Sequence, residues 1–221
     1  MLTNLPPVTK GLLIANAGVF LLQSLLGAAA FAPLMLWPPG VDAFMRMAGV
    51  PGFWPWQLVT YGFLHGDLAH LLFNMLALVM FGAQLEYTWG PRRFLTYFLV
   101  CVVGAGLCQL GIVSWTLAQG GQPYPTLGAS GGVFGLLLAY GMLFPHQRVM
   151  LLIPPIPMKA RTLAIVFGVI TLVMGITGRQ PNVAHFAHLG GMLFGWLLIR
   201  YWRGQPPFGR GPRRRPPARR F

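Results

Sequence analysis

The sequence predicts an all-α membrane protein, a six-transmembrane-helix bundle with an interfacial first loop. Three observations predict it. Apolar residues make up 55% of the 221-residue chain and charged residues only 9%, with a mean hydropathy of +0.62. Apolar runs near the length needed to cross roughly 30 Å of hydrocarbon recur along the chain. The cations, finally, are distributed so unevenly that they assign the two sides of the bilayer. A soluble core is excluded by the same composition.

The first helix is expected near 11–36. It follows Lys10 and lacks a small-residue cleavage site soon after a short apolar core, so it reads as a retained helix and not a signal peptide. The loop 37–64 is too apolar to float in water, and its Trp37, Trp54 and Trp56 suit the headgroup level of the outer leaflet. The remaining helices are expected near 66–86, 93–117, 127–145, 161–178 and 183–202. On the third, Cys101 and Cys108 are seven residues apart, about 10 Å along a helix, too far for a disulfide, and read as packing residues. Residues 1–203 thus form one membrane domain. Residues 204–221 form a basic, Pro- and Arg-rich disordered tail.

A cytoplasmic N-terminus leaves Arg46 and Arg179 outside and places the other 14 of the 16 Lys and Arg inside, so both termini are expected in the cytoplasm. The net charge of +13 would also suit nucleic acid, but eight of the 16 cations lie from Arg200 onward. A juxtamembrane tail held near anionic lipid accounts for them, and no nucleic-acid partner is expected.

Only three acids exist in the chain, Asp42, Asp67 and Glu86, so paired-carboxylate hydrolysis and carboxylate-rich metal sites are poorly supplied. Histidine and serine must carry any catalysis. Polar side chains are costly in a bilayer and mark function. His65, His70 and Asn74 approach or enter the second helix at its outer end, with 70 and 74 on one face. Ser130 is expected about a turn inside the outer end of the fourth helix. His185 and His188 lie near the outer end of the sixth. Gly128/Gly132 and Gly131/Gly135 on the fourth helix and Gly191/Gly195 on the sixth are G-x-x-x-G pairs that allow close backbone approach, so these two helices are the best equipped to touch. A serine beside a histidine can donate its proton to the imidazole, the requirement for a nucleophile.

Each feature also has a plainer reading: a serine among membrane glycines is commonly packing glue, and an interfacial histidine commonly a satisfied polar residue. "GASGG" matches the G-x-S-x-G elbow, but no strand precedes it. No Lys-Ser/Thr follows the glycines, against a phosphate loop. Four histidines at one depth could hold zinc, yet there is no H-E-x-x-H, no nearby Cys, and Asp67 is the only nearby acid.

"HGDLAHLLFN" before a helix, "GASG" opening another and "AHLGGMLFG" in the last, in this order within a six-helix frame, resemble the rhomboid intramembrane serine proteases over about residues 10–203. The resemblance implies a Ser130–His188 dyad, with Ser130 as nucleophile and His188 as general base. It also implies an oxyanion hole of His70, the Asn74 amide and the Ser130 N–H. His65 would be a structural hydrogen-bonding residue, Phe134 would pack on the His188 ring, and Gly128 and Gly131 would support the serine. His185 falls outside the pattern. Where many bacterial members carry Trp-Arg in the first loop, this chain has Trp56-Gln57, and Phe134 stands where Tyr is frequent. Glu86 resembles an acid bracing the inner end of the second helix, expected to point towards Arg92 or Arg93. No carboxylate lies at the depth where a triad would need one, so the imidazole must be oriented by packing. The expected function is cofactor-free and metal-free intramembrane endopeptidase activity on transmembrane substrates, near the outer face of a bacterial inner membrane. Two rivals are an inert rhomboid-like binding or chaperone protein and a transporter using buried polar residues.

Overall fold

The computed structural model of the protein describes residues 4–41, 43–47, 49–150, 155–178 and 183–209. Among them are six helices of 14 or more residues: α1 (Pro7–Leu26), α2 (Leu68–Trp89), α3 (Pro91–Ala118), α4 (Ser130–Leu143), α5 (Ala160–Thr177) and α6 (His185–Trp202). α1, α2, α3 and α5 are long and apolar enough to cross a bilayer, and α4 is a shorter apolar helix. Most of the basic tail, from Arg210 onward, lies outside the described residues, as do Asp42 and Arg179.

α1 starts with Pro7 in its first turn, where a missing N–H costs nothing. The next amides are capped from a distance: Val8 N–H donates to Glu86 Oε1 at 2.9 Å, and the Thr9 N–H and hydroxyl donate to Oε2 at 2.7 and 2.8 Å. This corrects the expectation for Glu86, which turns to the N-terminus of α1 and not to Arg92 or Arg93. The positive end of a helix with unpaired amides holds a buried carboxylate better than a solvated arginine does. α1 also ends earlier than expected. Gly27, at φ +83°, breaks it, and a 3₁₀ segment (Ala28–Leu34) follows. The apolar run "AAAFAPL" hides this break from any hydropathy reading.

The first loop carries short helices at Ala43–Met47 and Gln57–Thr60. Its buried tie is Gln57, whose Oε1 accepts from Trp37 N–H at 3.1 Å while Nε2 donates to the carbonyls of Pro33 and Gly52 at 3.2 and 3.1 Å. The Trp-Gln departure thus supplies its own hydrogen-bond network. Trp54 and Trp56 stack at 4.9 Å and stay about half exposed, as interfacial indoles do.

α2 contains a π turn at Leu78–Gly82 and passes to α3 through Gly90 and Pro91. α4 is the buried centre of the bundle. Its 14 residues rise only about 20 Å, short of the roughly 30 Å hydrocarbon depth. The chain reaches it through an irregular segment tied to Leu36 by a two-way Leu36–Thr126 backbone bridge, 2.9 Å in each direction. Ser130 is therefore the first residue of its helix and not a turn inside it.

α4 and α6 touch backbone to backbone: a Cβ on Gly191 would collide with the Gly131 carbonyl. The other glycines serve α3 as well. A Cβ on Gly132 would meet Phe98, and one on Gly135 or Gly195 would run into Cys101 or Tyr97 respectively. Tyr97 donates its hydroxyl to the Gly135 carbonyl at 2.8 Å. Gly104 of α3, not singled out in the sequence, accommodates Phe194 of α6. Both cysteines are free thiols, as expected. Between α4 and α5 a two-stranded antiparallel hairpin, absent from the sequence reading, pairs β1 (Arg148–Met150) with β2 (Pro157–Lys159).

Candidate active site

The close contact of α4 with α6 brings the first turns of both helices together. His188 Nε2 lies 2.8 Å from Ser130 Oγ, a hydrogen bond between residues 58 apart in sequence. With Nε2 accepting from the serine hydroxyl, the imidazole proton sits on Nδ1. Nδ1 is buried and has no hydrogen-bond partner, so no acid orients the ring. Packing does: Phe134 lies face to face with His188 at 4.1 Å and 4°. Phe134 is one helical turn after Ser130, so a single face of α4 presents both the hydroxyl and the aromatic support. Phe167 of α5 packs in turn on Phe134, 6.3 Å away at 60°.

Stacked aromatic pairs contribute about 0.5–1.5 kcal/mol, which is roughly two- to tenfold in a rate. We expect Phe134→Ala to lower kcat by about that factor with little change in KM, and Phe134→Tyr to retain activity. Steady-state kinetics on a purified membrane substrate would check this, and an unchanged kcat for Phe134→Ala would remove the orienting role.

Across the cavity stands the N-terminal end of α2. Asp67 caps the helix, accepting from His70 N–H at 2.7 Å. Asn74 Nδ2 donates to the His70 carbonyl at 3.0 Å, which leaves its second proton for the cavity. The fixed point between His70 and Ser130 is Gly128, at φ +128°, with its N–H given to the Tyr61 carbonyl at 2.9 Å. A Cβ there would stand 2.8 Å from His70 Nε2 and 3.7 Å from Ser130 Oγ. The absent side chain thus leaves a space flanked by an imidazole nitrogen and the serine oxygen. The Ser130 N–H, in the first turn of α4, has no carbonyl partner within its helix.

His65 behaves differently from expectation. Its ties to α1 run through the main chain, with its N–H donating to Gln23 Oε1 at 3.1 Å and its carbonyl accepting from Gln23 Nε2 at 3.4 Å. Its ring stands edge-on to His70 at 5.0 Å. Burial, and then the neighbouring His70, push the His65 pKa down to about 4, so the ring is neutral at physiological pH. His185 lies 6.2 Å from His188 at a right angle and also lines the cavity.

One cavity of about 1540 Å³ unites these groups. His70, Asn74, Ser130, Phe134 and His188 line its upper part. Below them the walls are apolar, with Met80 and Phe81 from α2 and Leu163 and Phe167 from α5. Two residues bearing on the site, Gln23 and Gln109, escaped the sequence reading, and Asp67 figured there only as an acid, without its capping role. Gln23 and Asp67 act through hydrogen bonds to backbone, which no side-chain motif advertises. Gln109 on α3 is 3% exposed, lines the cavity and has an Oε1 with no hydrogen-bond partner among the described residues. A lone amide inside a long apolar run was its available signal.

Comparison with known proteins gives a consistent result. The family model described as "Rhomboid domain" matches residues 53–204. The chain is 32% identical over 146 residues to "Rhomboid protein 1, mitochondrial" of Saccharomyces cerevisiae, covering 64% of this chain and 41% of that protein. It is 33% identical over 147 residues to "Rhomboid protease GluP" of Bacillus subtilis, covering 66% of this chain and 25% of that protein. Over 203 residues it is 26% identical to "Rhomboid protease GlpG" of Yersinia pestis, covering 89% and 62%. The chain thus spans less than two thirds of the length of each of these relatives.

Proposed function

Because this chain belongs to the rhomboid family, we propose that it is an intramembrane serine endopeptidase that hydrolyses peptide bonds in or near transmembrane segments. The observation that carries the reading is the 2.8 Å Ser130–His188 hydrogen bond at the mouth of an apolar groove. His188 Nε2 takes the hydroxyl proton as Ser130 Oγ attacks the scissile carbonyl carbon. The negative charge that develops on the carbonyl oxygen falls in the space beside Gly128, within reach of His70 Nε2–H, the Asn74 amide and the Ser130 N–H. His188 then passes its proton to the leaving amine. Water attacks the acyl-serine with His188 again as base, which restores the dyad.

The groove below the dyad explains why the substrate would be a membrane segment. Its lower walls are apolar side chains of α2 and α5, which suit an apolar helix and not a water-soluble peptide. A peptide bond in a regular helix has its carbonyl hydrogen-bonded, so the segment must unwind before Ser130 reaches it. Gly, Pro or polar residues beyond the cut favour that, since Gly and Pro weaken a helix by about 1 and 3 kcal/mol.

The cation distribution further supports a multipass protein with both termini in the cytoplasm and the dyad near the outer face of a bacterial inner membrane. The test is covalent labelling. A serine-directed phosphonate probe is expected to mark the wild-type protein in membranes and to leave Ser130→Ala unmarked. Equal labelling of both would overturn the proposal in favour of an inert rhomboid-like binding protein.

A further inference from the structure

The hairpin between α4 and α5 lies at the end of the bundle remote from Ser130, and the apolar groove reaches it. Val149 and Met150 of β1 line the same cavity as Ser130 and His188. Val149 is buried in the core, whereas Met150 is 54% exposed. A helix lying in the groove with its scissile bond at Ser130 would run along α4 for about 20 Å and leave the bundle over β1.

The surface at this exit is strongly cationic. Arg148, Lys159 and Arg161 are all exposed. Arg148 and Lys159 are direct cross-strand partners, an arrangement in which like charges repel. Among the described residues no acid pairs with them. Of the chain's three acids, Glu86 is bonded to Val8 and Thr9, Asp67 caps α2 on the Ser130 side, and Asp42 lies outside the described residues. These exposed cations are therefore free to meet an anionic group from another molecule. Arg148 adjoins Val149, which lines this end of the groove, Lys159 pairs with Arg148 across the hairpin, and Arg161 lies one turn or less from the lining residue Leu163, so a segment leaving over β1 passes close to them.

We propose that Arg148, Lys159 and Arg161 form a docking site for an acidic segment flanking the substrate's transmembrane helix on the side opposite the cut, cytoplasmic in the topology above. The inference rests on the protease reading and adds a selection rule to it. Two membrane segments with identical cut sites differ as substrates by the charge of the flank that emerges over β1. Because most membrane proteins carry basic residues on that side, the three cations repel ordinary helices and admit those with an acidic exit.

The experiment uses two model substrates identical through the transmembrane segment, one with three Asp and one with three Lys in the exit flank. Both are reconstituted with the full-length protein in phosphatidylcholine vesicles at low salt. Wild type is expected to favour the acidic flank by about tenfold in kcat/KM, mostly through KM, with the preference shrinking as salt rises. Arg148→Gln/Lys159→Gln/Arg161→Gln is expected to treat both alike, and the corresponding triple Glu variant to prefer the basic flank. The single variant Lys159→Gln serves if a triple variant does not fold.

Binding of the two segments to Ser130→Ala, followed by fluorescence, reads docking without cleavage. If neither segment is cut by wild type but Ser130→Ala still binds the acidic one more tightly, the protease reading fails and the docking site stands. Equal binding and equal cleavage of both flanks would overturn the docking site. So would cleavage that ignores the flank but rises in the wild type alone when phosphatidylglycerol is added, since the cations would then serve lipid headgroups.

Discussion

Ser130→Ala and His188→Ala are each expected to reduce cleavage of a purified membrane substrate by on the order of 10⁴-fold or more, and the double variant to lose little beyond either single one. In the proposed mechanism the two groups act as one proton-transfer unit, joined by a 2.8 Å hydrogen bond with no acid behind it among the described residues. Without the hydroxyl there is no nucleophile. Without the imidazole the hydroxyl loses the acceptor 2.8 Å away and keeps its proton. Ser130→Ala removes no packing, so its thermal unfolding in detergent should stay close to wild type, whereas His188→Ala also loses the ring stacked on Phe134 and should unfold somewhat earlier. Substantial cleavage by purified, folded Ser130→Ala would refute the mechanism outright.

The second large effect is expected on the opposite wall. His70→Ala and Asn74→Ala should each lower kcat by roughly ten- to a thousandfold, the range for losing one oxyanion donor. Gly128→Ala should match the more severe of them although it removes no donor. Its methyl would occupy the space where the oxyanion forms, 2.8 Å from His70 Nε2, on a backbone at φ +128° that side chains rarely adopt. Asn74→Ala also removes the bond to the His70 carbonyl, so thermal unfolding of this variant is measured beside its rate, and a stability close to wild type assigns the loss of rate to the missing donor. Single-turnover rates separate the chemical step from binding. Full activity in Gly128→Ala would show that the charge develops elsewhere.

Several elements of the fold were legible because the bilayer imposes them. A helix that must hide its backbone from hydrocarbon needs a long apolar run, and such runs are visible in one dimension. The small-residue pairs at Gly131 and Gly191 were readable for the same reason, since close approach between membrane helices leaves few other choices. The family motifs likewise pointed to Ser130, His188, His70 and Asn74, and the structure gathers these residues around one cavity. Other expectations failed where local geometry, not hydropathy, decides. Gly27 ends α1 in the middle of an apolar run, and Glu86 reaches the amides of α1 rather than the arginines nearer to it in sequence. The basic hairpin was invisible because short strands in a connecting loop have too few residues to show a period.

The sequence by itself determined the class of the protein, its long apolar helices and the residue types able to carry chemistry. It did so because solvation in a bilayer acts on composition and on runs of residues. Only the tertiary structure decided how those residues meet. The start of α4 at Ser130, the stacking of Phe134 on His188 and the open space beside Gly128 depend on backbone angles and on contacts between helices far apart in the chain. Such contacts are set by how whole surfaces fill space together. No single stretch of residues encodes them.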